Sequence, residues 1–338
     1  VPQSRDSIAD VWGPRTPYRG AGRWPLRVDV QSDHEPDEWV QSACVLCATG
    51  CGLDIGVKDG RIVGVRGRGV DHVNRGRLGP KGMHGWQANN SDDRLTRPLV
   101  RSRGKLRETS WEEAMALVTL RVKEAVQKYT PDGVGIYNTG QLFLEEYYAL
   151  SLIAHAGIGT TQLDGNTRLC TATASQSLRE TFGSDGQPGS LSDLDVTDCL
   201  FLVGCNMAET LTVPWTRVLD RRAGPKPPKL IVVDPRLTPT AKEADVHLAP
   251  RVGTNVALLN GILHLLIENG AIDRKFIDQH TDGFGRLEAT VRNYPPRRVR
   301  QITGVPEAKL VEAAEIIGNA PTLLSACLQG VYQSNQAT

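Results

Sequence analysis

No stretch of this 338-residue chain is apolar for the roughly 20 residues that a membrane-spanning helix needs. The longest candidate, Val256 to Ile267, is broken by Asn260, Gly261 and His264. Val1 to Asp10 carries no apolar signal-peptide core. Net charge is nearly absent as well: 39 Lys and Arg against 38 Asp and Glu leave a formal +1. A protein built for nucleic acid or an anionic membrane surface usually shows its basic face in that total. Neither partner is expected, although local basic pockets for anions remain open. The chain has no internal repeat and no low-complexity tract. Its cysteine count, seven, is odd, which does not suit a disulfide framework. These absences lead to the expectation of a cytoplasmic globular protein. The composition, 40% hydrophobic and 23% charged, is ordinary, and the length suits two or three domains.

Residues 1–40, rich in Pro, Gly, Arg and Trp, have no period and read as an arm with Trp12, Trp24 and Trp39 to bury. Residues 41–100 contain three crowded cysteines and a hairpin pattern. Leu53, Ile55 and Val57 alternate, Asp59-Gly60 turns, and Ile62, Val63 and Val65 return. At Ser110 the pattern becomes helical, with Glu113 placed for a capping box and apolar residues at Ala114, Leu117, Val118, Val122 and Val126. Residues 101–132 therefore read as the start of an α/β domain. Residues 133–338 alternate strand and helix: strands at Val134–Tyr137, Cys199–Val203, Leu230–Val233, Ala244–Leu248 and Thr322–Leu328. Helices are expected at Leu142–Ala156, at Met207–Ala223 with a break at Pro214, from a Thr254 cap to Asn269, and at Leu310–Asn319. Apolar strands without alternation, joined by helices, specify a parallel sheet covered on both faces. The chain stops at "LQGVYQSNQAT", which does not read as a domain end, so truncation is expected.

Cys44-x2-Cys47-x3-Cys51 packs three soft ligands into one short loop, a spacing that suits zinc or an iron–sulfur cluster. Zinc sites usually show a second C-x2-C pair downstream, and this chain has none. Three inert buried cysteines are the plain alternative.

With this motif the chain resembles the molybdopterin oxidoreductase family, and most closely its nitrate reductase catalytic subunits. The resemblance covers residues 41–338. The family follows the three cysteines with a fourth in an "R-x-C-P-K-G" run. Here the run is Arg77 to Gly82, with Gly79 where the fourth cysteine stands. The resemblance implies a 4Fe-4S cluster on Cys44, Cys47 and Cys51, with Asp71, His72 or His84 as candidates for the fourth ligand. It also implies that Lys81 assists electron passage, although a lone lysine is by default a solvated surface group.

"NTRLCTATA" places Cys170 before a small-residue helix, whose N-terminus would favour a thiolate. A buried small hydrophobe is the bland reading. The resemblance implies that Cys170 ligates molybdenum. The next residue is Thr171, where the formate dehydrogenase branch usually has His, and this favours oxygen-atom transfer. "FLVGCNMAET" sets Gly204, Asn206 and Glu209 after a buried strand. "VDPR" sets Asp234 and Arg236 after the next, and "RVGTN" sets Gly253, Thr254 and Asn255 at a helix start. In doubly wound sheets ligands lie outside such strand ends, phosphates at helix N-termini. Each turn alone is often only a turn; their order matches the guanine-dinucleotide segments of the family. "GVYQSN" makes Gln333 a pterin-contact candidate.

The resemblance therefore implies a small β-rich iron–sulfur domain followed by incomplete doubly wound α/β domains binding molybdenum bis-molybdopterin guanine dinucleotide. The implied activity is reduction of nitrate, a small anionic substrate, with electrons from a donor protein or reductase subunit. A formate dehydrogenase and a non-catalytic or truncated family member are the alternatives.

Overall fold

The computed structural model describes residues 15–17, 24–47 and 49–334. Trp12 of the expected arm and the end of the chain from Asn335 lie outside them. The chain divides into two compact units: the first holds Arg27–Leu169, and the second holds Cys170–Thr338 with the described part of Arg5–Leu26. Residues 101–132 and the first part of the segment beginning at 133 thus belong to the first unit.

The first unit opens on β1 (Val30–Ser32), β2 (Glu38–Ala43), β3 (Gly52–Lys58) and β4 (Arg61–Gly67), an antiparallel sheet in the order β1-β4-β3-β2. The β3–β4 hairpin turns at Asp59 and Gly60, both at positive φ (49° and 72°), as a two-residue turn matching strand twist requires. Leu53, Val63 and Val65 are buried beneath it. Next come α1 (Pro80–His84), the hairpin β5 (Leu99–Ser102) and β6 (Lys105–Glu108), and α2 (Trp111–Tyr129). Last are β7 (Ile136–Asn138), α3 (Leu144–Ser151) and β8 (Leu163–Gly165), with β7 and β8 parallel.

Three expectations need correction here. Ser110 does accept the Glu113 amide at 3.2 Å, but the Glu113 carboxylate goes to Arg107 and Thr109 instead of back to the cap. The strand expected at Val134–Tyr137 begins two residues later and is half exposed, because it is covered on one side only. The helix expected to reach Ala156 is α-helical only to Ser151. It then widens into a π turn, Leu152–Ile158, closed by Gly159 at φ 85°.

The second unit runs α4 (Thr167–Phe182, its first turn contributed by the end of the first unit), β9 (Cys199–Val203), α5 (Met207–Thr210), α6 (Thr212–Arg222), β10 (Lys229–Val233), α7 (Pro239–Lys242) and β11 (Val246–Leu248). It continues with α8 (Asn255–Glu268), α9 (Arg274–His280), α10 (Phe284–Val291), α11 (Pro296–Thr303), α12 (Glu307–Asn319), β12 (Leu323–Cys327) and α13 (Gln329–Tyr332). The four strands are parallel in the order β11-β10-β9-β12. Successive residues of each strand enter opposite cores. Phe201, Val203, Ile231, Val233 and Leu248 meet α8, α11 and α12 on one face. Leu200, Leu202, Leu230 and Val232 meet α5, α6 and α7 on the other. β9 and β10 are buried on both faces, which is why they read as continuous apolar runs, and each such side chain contributes about 1.5–3 kcal/mol of burial, whereas β12 at the sheet edge is half exposed.

The helical break expected at Pro214 falls at Leu211 instead. Pro214 sits in the first turn of α6, where its missing N–H costs no hydrogen bond. Thr254 precedes α8 but does not cap it, since its hydroxyl donates to the Arg251 carbonyl at 2.7 Å. Helices α9, α10 and α11 were not foreseen. Beneath α6, Arg217 grips Asp195 with two hydrogen bonds of 2.6 and 2.5 Å, both side chains being almost wholly buried.

Candidate cofactor-binding sites

In the first unit the cysteine loop joins β2 to β3. The Cys44 amide donates to the Cys51 carbonyl at 2.8 Å, so the strand ladder closes the loop at its base. Cys44 and Cys47 are half buried and Cys51 is buried. Burial pushes the Cys44 thiol up, as does nearby Cys47, while the Leu46 amide and Lys81 oppose the shift. Burial also raises the Cys51 thiol strongly, with Cys47, Cys44 and Asp71 adding to it. Cys44 and Cys51 would therefore need cationic compensation to ionise. Helix α1 packs on the loop: a Cβ built on Gly82 would stand 3.6 Å from Cys44 Sγ. Among the described residues no three His, Cys, Asp or Glu side chains converge on a single-ion position. A lone tetrahedral zinc would require such convergence. Three thiols carried on one short loop are the donor chemistry of an iron–sulfur cluster.

The second unit is organised by its sheet order. In chain order its strands lie 3-2-1-4, so the connections diverge between β9 and β12, a topological switch point. Gly204 follows β9 and Gly330 follows β12, and their backbones touch. A Cβ on Gly204 would fall 2.7 Å from Gly330 Cα, and one on Gly330 would fall 2.6 Å from Gly204 Cα. The Gly330 amide donates to the Gly204 carbonyl at 3.2 Å, and Gly204 sits at φ 57°. This contact forms the floor of a cleft of about 570 Å³.

Most of the sequence-predicted residues meet in that cleft. Gly204, Asn206, Asp234, Arg236, Gly253, Asn255 and Gln333 all line it. Asp234, nearly buried, accepts the Arg236 amide at 2.8 Å. Asn255 Nδ2 donates to the Gly330 carbonyl at 3.1 Å, tying the start of α8 to the switch point. Glu209 and Thr254 do not line the cleft. Glu209 instead accepts from Asn206 Nδ2 at 2.5 Å and orients it.

Three contributors were missed. Arg251 stood in the "RVGTN" run but was passed over; it lines the cleft with Arg236, while its Nη1 donates to the Gln301 and Ile302 carbonyls at 2.9 and 3.3 Å. Gly330 was readable as a strand-end glycine, but its contact with Gly204 was not. Thr240, fully buried, donates to Asn206 Oδ1 and accepts the Ala208 amide, each at 2.9 Å. Nothing in its sequence context marks it.

Cys170 lies in the first turn of α4, just before a kink at Thr171 (φ −127°, ψ 18°). Gln333 Nε2 donates to its Sγ at 3.3 Å, and the Thr173 hydroxyl donates to the Tyr332 carbonyl at 2.5 Å. The half-buried thiol thus stands beside a residue that lines the cleft. Cys199, Cys205 and Cys327, expected in the core, are in or beside strands, the first two buried.

Comparisons with known proteins add to this geometry. Residues 94–327 match the model of the family described as Molybdopterin oxidoreductase. Residues 37–91 match the Molybdopterin oxidoreductase Fe4S4 domain. A nitrate reductase of Symbiobacterium thermophilum is 36% identical over 88% of this chain and 41% of its own length. A formate dehydrogenase alpha subunit of Methanococcus maripaludis is also 36% identical, over 88% of this chain and 43% of its own. The periplasmic nitrate reductase of Desulfovibrio desulfuricans is 34% identical over 94% of this chain and 43% of its own. The chain thus spans about two fifths of the length of these curated relatives. Acetylene hydratase from Pelobacter acetylenicus shares the fold, with a TM-score of 0.75 over 87% of this chain and 40% of that one, at 24% identity.

Proposed function

The chain belongs to the molybdopterin oxidoreductase family, and on that premise we propose that the whole protein reduces nitrate to nitrite, holding its molybdenum through Cys170. The observation that carries this reading is the thiol of Cys170, half buried beside Gln333 at the switch-point cleft and followed by Thr171. The Gln333 amide that donates to this sulfur would orient it as a ligand. Thr171 offers no imidazole for a substrate proton, unlike the His usual in the formate branch.

The residues of the cleft fit a pterin-guanine dinucleotide. Gly204 and Gly330 leave its floor free of side chains, so a flat ring or a phosphate can approach the backbone. Arg236 and Arg251 can pair with the pyrophosphate. Asp234, at a strand end, can accept from ribose hydroxyls or a guanine edge. A bis form needs a second such dinucleotide, which is part of the proposal. Cys44, Cys47 and Cys51 would hold the cluster, and Lys81, whose charge favours ionised Cys44, is proposed to lie on the electron path. When bound, the molybdenum group supplies two-electron oxygen-atom chemistry and the cluster single-electron transfer. The chain's own residues anchor, orient and neutralise these anionic groups.

The proposed partners are nitrate and an electron-donor protein or reductase subunit. The proposed compartment is the cytoplasm, on the ground that crowded free thiols suit reducing conditions. No helix among the described residues is long and apolar enough to cross a membrane.

Formate oxidation is the second reading, favoured by the equal identity of the formate dehydrogenase relative. The test is a parallel assay of the full-length protein for nitrite formed from nitrate with a reduced viologen and for formate oxidation, with molybdenum counted in both wild type and Cys170→Ala. Nitrite formation by wild type, lost in Cys170→Ala, is the expected result. Formate oxidation without nitrite formation would overturn the assignment.

A further inference from the structure

The cysteine loop supplies three thiols, and the first unit contains no other cysteine; the remaining four, Cys170, Cys199, Cys205 and Cys327, lie in the second. Gly79 stands where the family run has its fourth. Its backbone, φ −76° and ψ 170°, is extended in a region open to any residue. Glycine is therefore not demanded by conformation. The Gly79 carbonyl accepts the Met83 amide at 2.9 Å as the first acceptor of α1, so the main-chain oxygen is already engaged.

None of the three candidate side chains is a thiolate, and each has another place in the unit. Asp71 Oδ1 accepts the Val73 and Asn74 amides at 2.9 and 3.2 Å. Asn74 in turn donates to the Gly52 and Arg77 carbonyls at 2.8 and 2.7 Å. Asp71 Oδ1 thus belongs to the scaffold that holds the loop following β4, while Oδ2 faces Gly52, where a built Cβ would stand 2.6 Å from it, beside Cys51. His72 is exposed, and His84 lies at the far end of α1 from Gly79.

We propose that the four-iron cluster implied by family membership is held by Cys44, Cys47 and Cys51, so that one corner iron takes no ligand from the described residues of the first unit, exchanges with solvent and binds small oxygen or nitrogen donors. The proposal rests on the reading that this loop holds a cluster. Such a corner iron leaves on oxidation. A one-electron oxidant, here ferricyanide, takes one electron from [4Fe–4S]2+, and the resulting [4Fe–4S]3+ releases Fe2+ to leave [3Fe–4S]+. One electron from dithionite and one Fe2+ reverse the change.

The experiment uses full-length protein purified anaerobically, with iron and sulfide counts and electron paramagnetic resonance before and after ferricyanide. The expected result is loss of one iron per cluster to a ferrous chelator. The near-isotropic signal of an oxidised three-iron cluster should appear with it, and both should be undone by dithionite and Fe2+. Gly79→Cys is expected to keep its fourth iron through the same treatment. Asp71→Asn, which retains the Oδ1 acceptor, is expected to behave as wild type. Retention of all four irons by the wild-type cluster overturns the proposal alone. So does a wild-type cluster that is stable until Asp71→Asn makes it labile, which would mark that carboxylate as the ligand. Protein with no iron or sulfide after anaerobic purification would sink the cluster reading as well.

Discussion

At the scale of single residues, the best-defined polar pair is Arg217 with Asp195. Both are almost fully buried, the guanidinium makes two bonds to the carboxylate, and its carbon lies 5.5 Å from the centre of the Trp24 ring. Removing one partner leaves the other charge stranded in the core. Asp195→Asn is expected to lower stability by about 3–5 kcal/mol, read from denaturant midpoints at constant slope. A loss below 1 kcal/mol would mean that water reaches the guanidinium. Replacing both residues with apolar ones of similar volume should cost much less than the single change, because no unpaired charge remains.

The elements that matter are the two turns after β9 and β12. Each follows a parallel strand, and each needs a glycine because the other turn's backbone occupies the space a side chain would fill. Gly204→Ala adds a left-handed penalty of about 1–2 kcal/mol to that clash. Gly330→Ala meets the clash alone, since Gly330 is not among the positive-φ residues. Both variants are expected to lower the pterin bound per chain, with Gly204→Ala also less stable than Gly330→Ala. The double variant should lose less than the sum of the two, because one contact is removed twice. Pterin fluorescence after acid release measures the first effect and thermal unfolding the second. Full pterin content in both single variants would show that the floor of the cleft does not touch the cofactor.

For the whole molecule, the sheet of the second unit sets an alkaline limit. Burial raises the Cys199 thiol from its ordinary 9.0 to about 11. Burial, with Cys327 and Asp234 behind it, raises Cys205 to about 12. Between 9.0 and 11 an unfolded chain gives up protons that the folded sheet keeps. Stability from these thiols is therefore complete below the ordinary thiol value and falls as pH rises through that window. Cys199→Ala should flatten the alkaline part of the stability profile measured by denaturant titration at several pH values. An unchanged slope would mean that other groups set the limit.

Much of this was readable in the chain because it depends on local chemistry. The uniform apolar runs at Cys199–Val203 and Leu230–Val233 read as strands buried on both faces. Asp59-Gly60 could close a hairpin without neighbours, and the spacing of Cys44, Cys47 and Cys51 marked a thiolate loop. Gly204 and Asp234 are legible as strand-end residues, and strand ends are where doubly wound sheets leave space, whereas Gln333 is marked only by the resemblance of its run to the family's. Tertiary structure decided what sequence spacing cannot encode. Gly204 and Gly330 are far apart in the chain and meet only because β9 and β12 are neighbours in the sheet. Thr240 came to hold the cleft residue Asn206 from within the core, and Gln333 reached Cys170 only because the end of α13 lies beside the start of α4. Local patterns fix periodicity and turns, whereas the pairing of distant strands is fixed by which buried faces fit together, and that decides which side chains share a site.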